Sequence, residues 1–252
     1  MIEIILLSLL QGLTEFIPVS SSSHLILVSE YLDFENNNLS IDVSLHIGSF
    51  LAVLFYFKRE VLNFIKYKEL FLKIIVSSIP VIIVGIVLIK TNTIEYLRDI
   101  RIIGITTILF GVLLFLSDRF ETNKSINKNF TFNSAIIIGL LQVLSLIPGV
   151  SRSGISITAA RFLNFKRLDS AKISFLLSLP TLAAVSIFGL KNIFLSENLS
   201  YSIINLVAML LSGISSYLTI KYFLIYLKKF NLNLFVIYRI ILGVLILLSI
   251  NL

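Results

Sequence analysis

Hydrophobic residues run along this chain in stretches long enough to cross a membrane. A helix needs roughly 20 apolar residues to span the hydrocarbon layer, with a range of about 17–25. Six stretches approach that length and predict transmembrane helices, at residues 43–57, 70–89, 102–117, 171–190, 202–222 and 234–252. The first stretch is short and contains the polar His46, which favours packing against protein rather than lipid.

Two further regions are apolar at both ends and polar in the middle. They cover residues 1–32 and 132–163, and their centres read IPVSSSSH and IPGVSRSG. Proline interrupts helical hydrogen bonding, and irregular backbone at membrane depth is tolerated only when it is buried in protein or lines a cavity. Each region is therefore predicted to form a re-entrant helix–loop–helix hairpin, which enters the membrane and returns to the same side.

The composition agrees with this pattern. Of the 252 residues, 57% are hydrophobic and only 14% are charged, whereas soluble domains have about 45–50% and about 25% respectively. The predicted class is an all-α integral membrane protein, and the length suits one membrane domain over residues 1–252. The chain has no cysteine, which excludes disulfides and thiolate metal sites.

The basic residues predict the orientation of the helices. A formal charge of +7 can indicate a nucleic-acid partner, but in a chain this apolar the basic residues more often set topology, so no such partner is predicted. If the first hairpin enters from outside, the outer loops at 33–42, 90–101 and 191–201 hold 4 basic residues and the inner loops hold 16. The positive-inside rule favours this arrangement, with both termini outside.

The chain also contains an internal repeat. FIPVSSSS, beginning at Phe16, resembles LIPGVSRS at Leu146, and LHIGSFLAV at Leu45 resembles LSLPTLAAV at Leu177. Each half, about 1–120 and 130–252, then holds one hairpin and three spans, so the second copy must be inverted. Inverted-topology repeats bring their broken helices together near the bilayer midplane, where substrate sites form. We therefore predict a single site built from both hairpins.

Residues with acid–base and anion-binding chemistry concentrate in the two centres. Gln11 and Glu15 are four residues apart and share a helix face, close to the serine run and His24. Arg152 lies in the matching loop of the other half, and an arginine inside a membrane region marks a site or pathway. Its planar fork suits phosphate, and serine hydroxyls with exposed backbone N–H groups complete an anion cradle. The predicted ligand is a phosphate or diphosphate.

A carboxylate and a histidine beside a phosphate site indicate catalysis as well as binding. His24 can act as base, acid or nucleophile, while Glu15 can orient it, take a proton or hold a metal ion. A serine can be the nucleophile if a base activates it, and Arg152 would stabilise charge on the transferring phosphoryl group. The alternative is a transporter such as a lipid-phosphate flippase, because inverted repeats with broken helices also serve alternating access.

The motifs resemble those of a known family. QGLTE is similar to the (E/Q)xxxE motif of the undecaprenyl-diphosphate phosphatase family, which is linked to bacitracin resistance, and PGVSRSGIS resembles its PGxSRSxxT motif. SSSSH and SLHIGSFLAV fit as well, so the similarity covers essentially the whole chain. The resemblance implies removal of the terminal phosphate from undecaprenyl diphosphate, which recycles the lipid carrier for cell-wall synthesis.

The resemblance also implies roles for individual residues. The implied catalytic residues are Glu15, Ser21, His24 and Arg152. The implied substrate-binding residues are Gln11, Ser22, Ser151, Ser153 and Gly154. Ser21, His24 and water all stay open as the nucleophile.

The family further implies a divalent cation, Mg²⁺ or Ca²⁺, with Glu15 as the candidate ligand. Gln11 stands where many members have a carboxylate, so this chain would offer the cation one fewer charge. The implied location is the bacterial plasma membrane, with a site open to the outer face. The expected partners are a polyprenyl diphosphate and membrane lipids, and a homodimer is left open.

Overall fold

The structure is a computed structural model that describes residues 2–31, 39–63, 66–91, 93, 95–120, 122–194 and 199–250. Its helices are α1 Ile2–Thr14, α2 Ser21–Tyr31, α3 Leu39–Tyr56, α4 Lys58–Leu62, α5 Lys68–Lys90, α6 Ile100–Asp118, α7 Ile126–Asn129, α8 Phe132–Gln142, α9 Arg152–Phe162, α10 Arg167–Phe194, α11 Leu199–Tyr226 and α12 Asn233–Ser249. Two 3-10 turns, Glu95–Arg98 and Val143–Leu146, accompany them. Within these ranges no strand forms, and the predicted all-α class is confirmed.

The six predicted spans correspond to α3, α5, α6, α10, α11 and α12. Four helices in the described ranges are long and apolar enough to cross a membrane: Lys68–Lys90, Ile100–Asp118, Arg167–Ile187 and Ile203–Tyr226. They leave large apolar side chains exposed on the outside of the bundle, as expected of helices that face lipid. The protein is a multi-pass membrane protein. Parts of the predicted outer loops (33–38 and 195–198) and the end of the last span (251–252) lie outside the described residues.

Both helix breaks occur where proline and serine predicted them. The first break, residues 15–20, separates α1 from α2, and the second break, residues 143–151, separates α8 from α9. The backbone adopts the left-handed conformation at Ser20 (φ 76°) and at Ser151 (φ 72°), each directly before the next helix. Ser151 also caps the helix that follows, because its hydroxyl accepts from the Gly154 backbone N–H at 3.0 Å.

Polar contacts between helices hold the bundle around the breaks. Ser49 Oγ on α3 lies 2.9 Å from Ser216 Oγ on α11, and Ser212 Oγ donates to the Leu45 carbonyl at 2.8 Å. Hydroxyl bonds of this kind join helices inside membranes, where the hydrophobic effect between helices is weak. Helix α9 is buried along most of its length, and the last four residues of the second break, 148–151, are buried as well.

A buried ionic cluster joins the far ends of α6, α9 and α10. Arg161 Nε lies 3.2 Å from Asp118 Oδ1, and Arg167 Nε donates to the same oxygen at 2.7 Å. The second Asp118 oxygen accepts from the Leu232 backbone N–H at 3.1 Å, just before α12. Arg161 and Arg167 are among the 16 basic residues assigned to the inner loops as topology determinants, and the structure gives both a direct contact that ties four segments together.

Candidate active site

Glu15 is the centre of a buried hydrogen-bond cluster at the end of α1. Gln11 Nε2, one helical turn earlier, donates to Glu15 Oε2 at 3.1 Å. The first break folds the start of α2 back over this turn, and Ser21 Oγ donates to the same carboxylate oxygen at 2.7 Å. Two residues that the sequence separates by a proline are therefore in direct contact.

Arg152 connects this cluster to the second break. Its Nη2 donates to Glu15 Oε1 at 3.1 Å, and its Nη1 donates to the Ser174 carbonyl of α10 at 3.1 Å. Its Nε has no acceptor in the described part of the chain. A charge-assisted bond between largely buried groups is stronger than a neutral one, so this ion pair is the main link between the two predicted halves of the site.

The two breaks share a backbone arrangement, which shows which of their residues occupy matching positions. Ser20 and Ser151 are both left-handed and both precede a helix, but Pro148 is one residue further from its serine than Pro18 is. Ser21 and Arg152 therefore occupy equivalent positions, as the first residues of α2 and α9. A comparison of the two motifs without a gap would instead pair Ser21 with Ser151. Each equivalent residue binds one oxygen of Glu15.

His24 lies near this cluster but is not bonded to it. Its Nδ1 lies 2.6 Å from the Ser20 carbonyl, which only accepts, so Nδ1 carries the proton. Its Nε2 then accepts from the Tyr238 hydroxyl of α12 at 2.6 Å, and the two rings stack 5.7 Å apart. The possibility that Glu15 orients His24 is therefore wrong for this structure, where the Ser20 carbonyl and Tyr238 hold the imidazole.

The serines of the second break make contacts within the protein. Ser151 Oγ caps α9 by accepting from the Gly154 N–H at 3.0 Å, and it lies 3.1 Å from Ser153 Oγ. Ser153 Oγ donates across to the Ile17 carbonyl of the first break at 2.8 Å. In the first break Ser22 is exposed, and its hydroxyl lies 3.3 Å from that of Ser20. The substrate-binding role of these residues stays a prediction.

Arg239, which the sequence analysis did not place at the site, contacts both breaks. Its Nη1 donates to the carbonyls of Pro18 and Val150, both at 3.2 Å, and its Nη2 donates to Gly149 at 2.7 Å. Its Nε donates to the Thr107 carbonyl of α6 at 3.2 Å.

The 16 basic residues assigned to the inner loops include Arg239, and that placement is wrong. Arg239 lies within α12 and is 0% exposed. The signal that finds it is the one that found Arg152: an arginine inside a predicted span is costly unless it has a specific partner. Tyr238, its neighbour, has no comparable signal, because tyrosine is common in membrane helices.

Comparison with known proteins agrees with these motifs. The family model described as Bacitracin resistance protein BacA matches residues 4–245. The chain belongs to this family. It is 47% identical over 246 residues to the undecaprenyl-diphosphatase of Pelagibacter ubique, with 97% of this chain and 96% of the relative covered. The undecaprenyl-diphosphatase of Hahella chejuensis is 41% identical over 256 residues, covering 96% and 95%. That of Campylobacter curvus is 40% identical over 263 residues, covering 98% and 97%.

The site of this BacA-family chain has oxygen atoms suited to binding a hard cation. Gln11 Oε1 is buried beside Glu15 and accepts no hydrogen bond in the described part of the chain. No group of three or more histidine and acidic side chains that could hold a metal ion occurs among the described residues. Mg²⁺ often binds through one or two protein oxygens and takes its other ligands from water and substrate phosphates. Gln11 and Glu15 fit such a partial ligand set.

An apolar groove in the BacA-family fold begins beside the first break. It has a volume of about 500 Å³ and lies between α1, α11 and α12. Leu13, Ile17, Tyr222 and Phe235 are among its lining residues. Ile17 connects the groove with the contact between the two breaks, since it lines the groove and its carbonyl accepts the hydrogen bond from Ser153.

Proposed function

We propose that this protein hydrolyses undecaprenyl diphosphate to undecaprenyl phosphate and inorganic phosphate, and so recycles the lipid carrier of cell-wall synthesis. The observation that carries the proposal is the Glu15 carboxylate, which binds the Ser21 hydroxyl through one oxygen and the Arg152 guanidinium through the other. Relatives named undecaprenyl-diphosphatase align over nearly the whole chain. Their names describe hydrolysis and give the flippase alternative no support.

The nucleophile in this proposal is the Ser21 hydroxyl. It already donates to Glu15 Oε2 at 2.7 Å, and Gln11 and Arg152 hold that carboxylate in place. A hydroxyl, a base and a third group that orients the base are the usual parts of an activated nucleophile. Ser21 Oγ attacks the terminal phosphorus, its proton passes to Glu15, and undecaprenyl phosphate leaves as the P–O bond breaks. Arg152 stabilises the charge on the transferred group.

His24 serves the second step, in which water attacks the phosphorus and passes a proton to His24. The P–Oγ bond to Ser21 breaks, inorganic phosphate leaves, and Glu15 returns its proton to the Ser21 hydroxyl. Because the His24 Nδ1–H is bonded to the Ser20 carbonyl, Nε2 is the ring nitrogen that can take a proton. His24 follows Ser21 by three residues on α2, so the two side chains lie on neighbouring positions of one helix face. The Tyr238 hydroxyl, which donates to Nε2 at 2.6 Å, gives way to the attacking water.

A divalent cation, Mg²⁺ or Ca²⁺, would be held by Gln11 Oε1 and Glu15, with water and diphosphate oxygens as its other ligands. It would supply neutralisation of the negative charge on the diphosphate. Gln11 then has two tasks, because its amide nitrogen also orients the Glu15 carboxylate.

The proposed architecture is a pair of re-entrant hairpins from two inverted halves, about 1–120 and 130–252, in one domain. Support comes from the equivalent left-handed serines, Ser20 and Ser151, and from the convergence of both breaks on Glu15. The site would open to the outer face of the bacterial plasma membrane. The groove beside Ile17 would take the proximal part of the polyprenyl chain, because it is apolar and adjoins the reacting groups.

The test is phosphate release from undecaprenyl diphosphate by purified protein in detergent, with and without chelator. Wild-type protein should release phosphate, and Arg152→Ala should reduce the rate by about 100-fold or more, the cost of removing one preorganised charge-stabilising donor. Size-exclusion profile and melting temperature show whether the variant is folded. Movement of intact lipid across reconstituted vesicles without phosphate release would overturn the proposal and favour transport.

A further inference from the structure

Arg239 is a buried cation whose partners are backbone carbonyls. Its guanidinium donates to four of them, on Pro18, Thr107, Gly149 and Val150. In the described part of the chain, no carboxylate is close enough to form an ion pair with it. Carbonyls satisfy its hydrogen bonds but do not cancel its charge, and an uncompensated buried charge is costly.

Arg161 is the comparison within the same molecule. It is also buried, at 2% exposure, and its guanidinium also donates to carbonyls, on Asp118, Phe120 and Phe165. Unlike Arg239, it has a carboxylate at 3.2 Å, from Asp118. The chain therefore neutralises the buried arginine that is remote from the breaks and leaves the one between them positive.

The packing around Arg239 is specific to it. A Cβ on Gly154 of α9 would lie 3.0 Å from Arg239 Nη1, and a Cβ on Gly111 of α6 would lie 3.2 Å from Arg239 Cβ. Both distances are tighter than ordinary contacts, so a larger residue at either position would displace the arginine. Gly154 is one of the predicted substrate-binding residues. In the structure, its lack of a side chain leaves room for the Arg239 guanidinium.

We propose that Arg239 is a positioning residue for the diphosphate. It locks the two breaks together through the carbonyls of Pro18, Gly149 and Val150, and it keeps a net positive charge beneath them. A phosphoryl dianion bound at the starts of α2 and α9 neutralises this charge, and the positive ends of those two helix dipoles favour it as well. The inference rests on the proposed function only in taking the ligand to be a diphosphate.

The experiment compares Arg239→Lys and Arg239→Gln with Arg161→Lys and Arg161→Gln. Two quantities are measured for each purified protein in detergent: the Kd for inorganic pyrophosphate, and the KM and kcat for undecaprenyl diphosphate. All four variants should have lower melting temperatures. Arg239→Gln alone should raise the pyrophosphate Kd and the KM by about tenfold or more, as expected for loss of a nearby charge in a partly dry site.

Arg239→Lys separates charge from geometry. It should keep the pyrophosphate Kd near the wild-type value while kcat falls, because one ammonium cannot bind the spread of carbonyls that the planar guanidinium binds. A merely structural role would make the two Arg239 variants alike and would give the Arg161 variants the same loss. Either result would overturn the inference, as would a wild-type protein that does not bind pyrophosphate.

A milder pair of variants serves if the arginine variants do not fold. Gly111→Ala presses on Arg239, whereas a Cβ on Gly104, in the same pair of helices, would meet the Leu247 side chain. Gly111→Ala should raise the KM, and Gly104→Ala should leave it unchanged; equal KM values would contradict the inference. If wild-type protein binds pyrophosphate and Arg239→Gln does not, but undecaprenyl diphosphate is not cleaved, the proposed function fails and the inference stands.

Discussion

The first and second breaks share a backbone feature but differ in chemistry. Each contains a proline and a serine with a left-handed backbone directly before the next helix, at Ser20 and Ser151. The first residue of that helix carries a neutral hydroxyl after the first break, Ser21, and a positive charge after the second, Arg152. Both bind Glu15, which only the first break carries. A shared backbone feature thus brings two unlike side chains to one carboxylate.

The helices that follow the two breaks differ in burial. Helix α9 is buried along almost all of its length, and the hydroxyls of Ser151 and Ser153 bind within the protein. At the start of α2, Ser22 is exposed and Ser21 is half-buried. In the proposed mechanism, the start of α9 therefore supplies a buried charge and the start of α2 presents the reacting hydroxyl. Four variants test this division of roles.

The largest effect is expected from Glu15→Gln, which removes the shared partner of the two breaks. Ser21 would lose its base and Arg152 its counter-charge, so the rate of phosphate release should fall by about 1,000-fold, within the range for loss of a catalytic base. Glu69→Gln is the control, because Glu69 forms an exposed ion pair with Lys73 on α5. A near-normal rate for the Glu15→Gln protein would show that activity does not depend on the shared contact of Ser21 and Arg152 with Glu15.

Ser21→Ala should lower the rate by about 100-fold or more, since it removes the proposed nucleophile and its bond to Glu15. Thr91→Ala is the control: its hydroxyl is exposed at the end of α5 and bonds to neighbouring residues of that turn, so the rate should stay within about twofold. Rapid quenching with labelled substrate should trap phosphate on wild-type protein. An unimpaired Ser21→Ala protein would assign the attack to water or His24.

Tyr238→Phe should lower kcat by about two- to tenfold, the equivalent of one hydrogen bond that aligns the His24 ring. The stacking of the rings should survive, so the melting temperature should change little. Tyr96→Phe provides the control, because Tyr96 is exposed and lies outside the apolar groove. An unchanged kcat would show that the Ser20 carbonyl suffices to orient the imidazole.

The smallest effect concerns the contact between the breaks. Ser153→Ala removes the bond to the Ile17 carbonyl and should lower the free energy of unfolding by about 1 kcal/mol. Ser156→Ala, which removes a buried bond to Gln142 on α8, should cost a similar amount. Of these two serines, Ser153 joins the two breaks and Ser156 does not, so only the Ser153 variant should also lower activity. Denaturant unfolding and phosphate release measure the two quantities, and equal activities would contradict the link.

Sequence alone was sufficient for the helices and for the two breaks. Helix length and apolar run are local properties, so α5, α6 and α11 lie where their residues predicted. Proline and serine within an apolar region predicted both interruptions for the same reason. The combination of Glu15 with Arg152 was also predictable, because a buried charge in a membrane needs an opposite charge and the repeat placed both in matching centres.

The tertiary structure decided which partner each site residue takes. The sequence could not show whether Ser21 or His24 binds Glu15, because both lie in the first turn of α2, directly after the first break. Nor could it bring in Tyr238 and Arg239, whose contacts with His24 and Pro18 span more than 200 residues of chain. Those contacts depend on how α12 packs against α6 and the breaks, and such packing is set by shape and burial across the whole fold rather than by any local pattern.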